Sequence, residues 1–220
     1  MQAYDALVFD NDGVLTTPTE RPVLERAMET AFEEVGVADP PRSHVETLIG
    51  PTIDSLRSIA ADHDVEPATL WEARERAAID AQLDAIRSGQ KRLYDDVAAL
   101  DSIDVPRAIV SNNQHETIGN IVDHFELHRF DPWIGREPTL DGIRRKKPRP
   151  YYVEQAVTTM GADNPLYVGD SRVDVAAADA VGIDAAFIRR DHRIDYELDA
   201  VPAHEITSLE ALSDLVETGR

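Results

Sequence analysis

Two carboxylates set two residues apart repel each other unless they share a proton or a cation, so an Asp-x-Asp pair is a candidate for metal binding or acid–base work. Asp10-Asn11-Asp12-Gly13 is such a pair. Spacing alone says little in this chain: with 25 aspartates in 220 residues, about three such pairs arise by chance. Asp62 and Asp64 form another and read as a solvated loop. What singles out Asp10 and Asp12 is position. They follow directly on the apolar run Ala6-Leu7-Val8-Phe9, at the carboxyl end of a buried strand, where open α/β sheets bind their ligands.

The arrangement recurs twice. Arg107-Ala108-Ile109-Val110 leads into Ser111-Asn112-Asn113, and Leu166-Tyr167-Val168 leads into Gly169-Asp170-Ser171. In a parallel sheet, polar groups beyond three strand ends converge on one edge. Asp170 and Asp174 lie one helical turn apart, with Ser171 as the expected N-cap. Asp80/Asp84 and Asp191/Asp195 share that spacing without a buried strand before them and are assigned to the surface. The densest basic run is Arg144-Arg145-Lys146-Lys147-Pro148-Arg149-Pro150, which holds two of the chain's three lysines. It reads either as a solvated loop or as the source of a lysine that neutralises a bound anion. Pro150 is placed to open a helix running to Met160.

Short apolar runs at 6–9, 108–110, 166–168 and 185–188 suit buried parallel strands. The alanine-rich segment 173–181, closed by Gly182, reads as the crossover helix of a βαβ unit. From 22 to 90 the pattern is almost entirely helical, with helices expected over 23–35, 44–49, 53–62 and 68–88. The expected architecture is therefore a doubly wound, mainly parallel, Rossmann-like α/β core (1–15 and 91–220) with an inserted all-helical cap (16–90). His124 and His128 read as a helix-surface pair, since no third ligand completes a metal pattern. Trp71 reads as packing, and Trp133 is open between packing and stacking.

The composition, 42% apolar and 29% charged, is that of a folded domain. No run approaches the roughly 18 apolar residues of a membrane span, and no secretory leader is evident. The absence of cysteine excludes disulfides, thiolate metal sites and cysteine nucleophiles, and fits a cytoplasmic protein. The formal net charge is −20, with only three lysines beside nineteen arginines. Such a surface makes nucleic acid and anionic membranes poor partners. It suits a salt-rich cytoplasm, where a Debye length of roughly 3 Å at 1 M removes self-repulsion. Nothing in the sequence sets an oligomeric state.

The order Asp-x-Asp-Gly-Val-Leu, then Ser-Asn after a strand, then Lys-Pro-x-Pro, then Gly-Asp-Ser-x-x-Asp resembles the haloacid dehalogenase (HAD) superfamily of phosphohydrolases. The resemblance covers nearly the whole chain, with 125–135 and Ser208-Leu209-Glu210-Ala211-Leu212 similar to its connecting helix and tail. It implies Asp10 as nucleophile and Asp12 as general acid and base. Ser111 and Asn112 would contact the substrate's phosphoryl group, and Lys147 would balance its charge; the family's lysine directly precedes the first proline, which prefers Lys147 over Lys146. Magnesium would be held by Asp10, the Asp12 carbonyl and Asp170, with Asp174 behind them, ordering metal-bound water or Lys147.

An alkoxide leaving group needs the proton that Asp12 could give and a halide does not, so the resemblance favours a phosphatase over a dehalogenase. A phosphomutase would use the same residues. A phosphoacceptor signalling domain fits less well, because its acceptor follows a later strand, and no Gly-x-Gly-x-x-Gly marks a dinucleotide site. The expected substrate is a small phosphorylated metabolite. Leu48-Ile49-Gly50-Pro51 resembles a cap stretch of phosphoglycolate phosphatases, which makes 2-phosphoglycolate the first candidate.

Overall fold

The computed structural model describes residues 3–216. Six strands, β1 (Ala6–Phe9), β2 (Arg107–Gln114), β3 (Phe130–Arg136), β4 (Pro165–Gly169), β5 (Asp184–Ile188) and β6 (His204–Ile206), form one sheet in the order β3-β2-β1-β4-β5-β6. Every pairing is parallel. The inner strands are covered on both faces, which is why β1 and β4 are unbroken buried runs. Leu7 and Phe9 point to one face, with Ile109, Leu166 and Val168. Val8 points to the other, with Val110 and Tyr167.

Four helices lie between β1 and β2: α1 (Arg21–Glu34), α2 (Arg42–Leu48), α3 (Ile53–Asp62) and α4 (Pro67–Arg87). Prolines open α1 and α4, where a missing N–H costs nothing, and a Thr52–Ser55 capping box starts α3. Their apolar faces meet in a cluster of their own around Met28, Phe32, Leu48, Leu56, Leu70 and Trp71. Ile143, on α6 (Leu140–Arg145), completes that cluster from the other side of the chain. The two segments joining block and sheet run side by side, Thr17 N–H donating to the Arg92 carbonyl at 2.8 Å and Tyr94 N–H to the Leu15 carbonyl at 3.0 Å. The remaining helices are α5 (His115–His124), α7 (Tyr151–Met160) and α8 (Arg172–Val181). As expected, Pro150 and Ser171 stand at the starts of α7 and α8, and Gly182, at φ +79°, ends α8.

The two edges of the sheet depart from the sequence reading. The segment 125–135, expected as a connecting helix, holds most of β3, and β6 is a three-residue strand that no run announced. Edge strands need be apolar on fewer sides and tolerate proline, here Pro132, so their sequences lack the signal of β1 or β4. Helix α5 ends at His124, and Glu126 takes a positive φ of 55°, so His128 lies beyond the helix and the two histidines do not share its surface. Trp71 is buried within the helical cluster, and Trp133 stacks on His115 with ring centroids 4.5 Å apart. Among the described residues no helix is long and apolar enough to cross a membrane.

Candidate active site

The strand order reverses between β1 and β4: from β1 the chain builds outward through β2 and β3, then returns to place β4 on the other side of β1. A crevice opens at such a reversal, outside the carboxyl ends of the strands. Phe9 is level with Ile109 and with Val168. β2 runs on past Val110 to Gln114, so residues 111–113, expected beyond the strand, lie within it, and Ser111 emerges beside Asp10 after β1 and Asp170 after β4. The Asp10 N–H donates to the Val168 carbonyl at 2.9 Å, fixing the Asp10 carboxylate at this seam.

Lys147 enters the same place from the loop after α6. Its Nζ lies 3.0 Å from Asp10 Oδ1 and donates to Asp174 Oδ1 at 2.7 Å, the Tyr167 hydroxyl at 2.7 Å and the Val110 carbonyl at 2.9 Å. Burial by itself lowers a lysine, but the carboxylates of Asp10 and Asp174 outweigh it and hold Lys147 well above its ordinary value. Burial pushes the Asp10 carboxyl up to about 7; Lys147 opposes this, and Asp174, Asp170 and Asp12 reinforce it. Asp170 is raised by burial and by Asp174, against the pull of His192 and Arg193. The cluster thus carries more negative charge than its one lysine balances.

Asp174 is fully engaged: Oδ1 faces Lys147, and Oδ2 accepts Ser171 N–H at 3.1 Å and Ser171 Oγ–H at 2.5 Å. Asp170 offers Oδ2 to His192 Nε2 at 2.8 Å and Arg193 Nε at 3.0 Å. Two glycines make room for these carboxylates. Gly13 sits at φ +83°, where a Cβ would fall 2.2 Å from Asp170 Oδ2, and a Cβ on Gly169 would fall 2.2 Å from that of Asp174. Asp10, Asp170 and Asp174 each present an oxygen, all within 4.8 Å of one another. An oxygen-only donor set with excess negative charge fits a hard divalent cation such as magnesium. With Asp174 committed to Lys147 and Ser171, Asp10 and Asp170 are the carboxylates open to it.

Asp12 stands beside this cluster in an ion pair with the fully buried Lys91, and accepts from Asn113 Nδ2 at 2.9 Å. Lys91 also donates to the Thr17 carbonyl at 3.0 Å. Gln82 of α4 bonds Asn113, its Nε2 donating to Asn113 Oδ1 at 2.9 Å, which ties the helical block to the end of β2. Ser111 is buried within the second half of β2, its Oγ accepting from Asn113 N–H at 3.2 Å.

Asn112 holds the loop that carries Lys147. Its Oδ1 accepts Lys147 N–H at 2.7 Å and its Nδ2 donates to the Lys147 carbonyl at 3.0 Å, so its amide clamps the lysine's backbone. The basic run divides: Lys147 joins the acidic cluster, Lys146 turns away to donate to the Pro51 carbonyl at 3.0 Å, and Arg144 stays exposed on Asp141. Sequence reasoning did not find Lys91, Gln82, Tyr167, His192 or Arg193. Only lysine's scarcity pointed to Lys91; the others stand at no recognisable spacing from the motifs.

A doubly wound parallel sheet whose strand ends gather one lysine and several carboxylates at the point of reversal defines a phosphoryl-transfer type of α/β enzyme site. Residues 4–182 match the haloacid dehalogenase-like hydrolase family. The phosphoglycolate phosphatases of Neisseria meningitidis and Neisseria gonorrhoeae are 30% and 31% identical over 192 residues, covering 83% of this chain and 79% and 78% of theirs. The crystal structure of CbbY from Rhodobacter sphaeroides in complex with phosphate has a TM-score of 0.69 at 18% identity, over 95% of this chain and 96% of that one. The chain belongs to the haloacid dehalogenase-like hydrolase family and is a phosphoric monoester hydrolase.

Proposed function

We propose that this enzyme is a magnesium-dependent phosphatase of small phosphate monoesters that works through an aspartyl-phosphate, with 2-phosphoglycolate as the first candidate substrate. The observation that carries the reading is the half-buried Asp10 carboxylate set against a single buried lysine, Lys147, and two further carboxylates, both buried. Magnesium held by Asp10, Asp170 and the Asp12 carbonyl would supply the positive charge that lets an anionic carboxylate meet an anionic ester. The Asp10 carboxylate attacks phosphorus, and the ester P–O bond breaks. Asp12 gives its proton to the departing alkoxide, then takes one from the water that cleaves the aspartyl-phosphate, releasing phosphate and restoring Asp10. Lys147 and Ser111 hold the phosphoryl oxygens, Asp174 and Asn112 fix Lys147, and Lys91 with Asn113 fixes Asp12.

Helices α1 to α4 serve as a cap over this chemistry. Between them and the sheet lies a cleft of about 260 Å³ lined by Asp12, Thr19, Ile49, Gln82 and Asn113 among others. Ile49 belongs to the Leu48-Ile49-Gly50-Pro51 stretch, and the Neisseria relatives bear the name phosphoglycolate phosphatase, which together support that substrate. The test is a screen of phosphate monoesters with and without magnesium, following phosphate release. Release from 2-phosphoglycolate that vanishes in Asp10→Asn supports the reading, and substantial release by Asp10→Asn refutes it. A bisphosphate requirement with little net phosphate release would instead indicate a mutase. We also read the charge of −20 as fitted to a salt-rich cytoplasm; equal thermal stability at low and multimolar KCl would exclude this.

A further inference from the structure

A second cavity of about 260 Å³ opens beyond the cleft, and Ile49, Arg74 and Asn112 line both. Its wall carries Arg74, Arg136 and Lys146. Both arginines are buried, at 8% and 4% exposure, and Lys146 is half-buried. The carboxylate among them is Glu75, whose Oε1 accepts from Arg74 at 2.7 Å and from Arg136 at 2.8 Å. Three cations therefore face one anion, in a chain whose net charge is −20. A lone carboxylate would balance a lone cation; the surplus here has no protein partner among the described residues.

The donors are not exhausted either. A guanidinium has five N–H bonds. Arg74 uses three, on the Leu48 and Ile49 carbonyls and Glu75, and Arg136 uses three, on the Asn112 and Glu137 carbonyls and Glu75. Lys146 gives one of its three, to the Pro51 carbonyl. The Trp71 indole, on the same wall, is buried with no partner for Nε1. Burial and the mutual repulsion of these cations lower both Arg74 and Lys146, as expected where positive charge awaits an anion. The walls are held in place by packing, since Arg136 and Arg74 lie over the Trp71 ring at 4.6 and 5.2 Å.

We infer that this cavity is the subsite for a second anionic group of the substrate, a carboxylate or a second phosphate, carried at the end of the molecule remote from the scissile ester. The inference rests on the phosphatase reading and narrows it: the preferred substrates are small phosphate esters with two anionic ends. Arg74 lines both cleft and cavity, Lys146 and Arg136 line the cavity, and Asn112 links the two sites, its carbonyl accepting from the Arg136 guanidinium and its side chain from the Lys147 N–H.

The test compares kcat/KM for 2-phosphoglycolate, ethylene glycol bisphosphate and the neutral-tailed 2-hydroxyethyl phosphate. Wild-type enzyme should prefer at least one anion-tailed ester to the neutral one by roughly tenfold to a hundredfold, and the two anionic arms separate a carboxylate from a phosphate. Lys146→Met and Arg74→Met should each cut that ratio roughly tenfold, and Arg74→Lys should keep more of it than Arg74→Met. The ratio is insensitive to partial loss of folded enzyme, and Lys146, with one hydrogen bond to lose, serves if Arg74→Met does not fold. A wild-type ratio near one, or ratios unchanged in both Met variants, overturns the subsite while leaving the phosphatase reading intact. Failure of wild-type enzyme to hydrolyse any of the three esters overturns both.

Discussion

Two largely buried charged clusters lie on either side of the end of β2. On one side Lys147 pairs with Asp10 and Asp174, beside Asp170; on the other Glu75 pairs with Arg74 and Arg136, which share a cavity wall with Lys146. In each, like charges outnumber the opposite charges that hold them, Lys147 and Arg193 in the first and Glu75 in the second, and the signs are reversed. Asn112 is the seam, its side chain on Lys147 and its carbonyl accepting from Arg136 Nε at 3.3 Å. Burying uncompensated charge is costly unless a partner arrives, so the first cluster is built to receive a cation and the second an anion. A substrate that bridges them is recognised by its two ends and reacts at only one.

The contrast can be broken most severely at its reactive end. Asp10→Asn should lower kcat for phosphate release by roughly 10⁴-fold or more with little change in thermal stability, because it removes one like charge from the acidic cluster. Removing the minority charge should do the reverse to stability. Lys147→Met should cost about 3–5 kcal/mol in urea unfolding, by leaving Asp10 and Asp174 unpaired, and should cut kcat about 10²- to 10³-fold. Glu75→Gln is the mirror experiment: loss of about 3 kcal/mol, partly recovered with millimolar inorganic phosphate, which binds the folded form. Recovery of Glu75→Gln by magnesium and not by phosphate would erase the distinction between the clusters.

A smaller effect follows from pH. The Asp10 carboxyl, at about 7 in the fold against its ordinary 3.8, binds a proton more tightly folded than unfolded. Its contribution to stability is therefore complete below about pH 4 and is lost as the pH rises through 7. In chelator, wild-type stability should fall over that range more steeply than that of Asp10→Asn, and magnesium should flatten the difference. Equal slopes for the two proteins would show that Asp10 is not strained by its neighbours.

The acidic cluster was largely legible in the sequence and the basic one was not. Asp10, Ser111 and Asp170 each follow a short, continuously apolar run, and runs of that kind become central parallel strands whose ends converge. Arg74 and Glu75 sit within a 21-residue helix, Arg136 ends an edge strand and Lys146 follows a six-residue helix. No periodicity connects those elements, so nothing local announces that they share a cavity. His192 and Arg193 escaped for the same reason: their partner Asp170 is more than twenty positions away.

By itself, then, the order of residues determined which strands are buried, where a helical block interrupts them and which carboxylates stand at strand ends, because burial on both faces and termination by polar residues are properties of short segments. Tertiary structure alone decided that Asn112 clamps Lys147, that Lys91 pairs with Asp12, that Asp174 serves the lysine, and that Arg74 and Arg136 share Glu75. Those are contacts between segments separated by as many as 79 residues, and their energy depends on distances and on exclusion of water that exist only once the chain is folded.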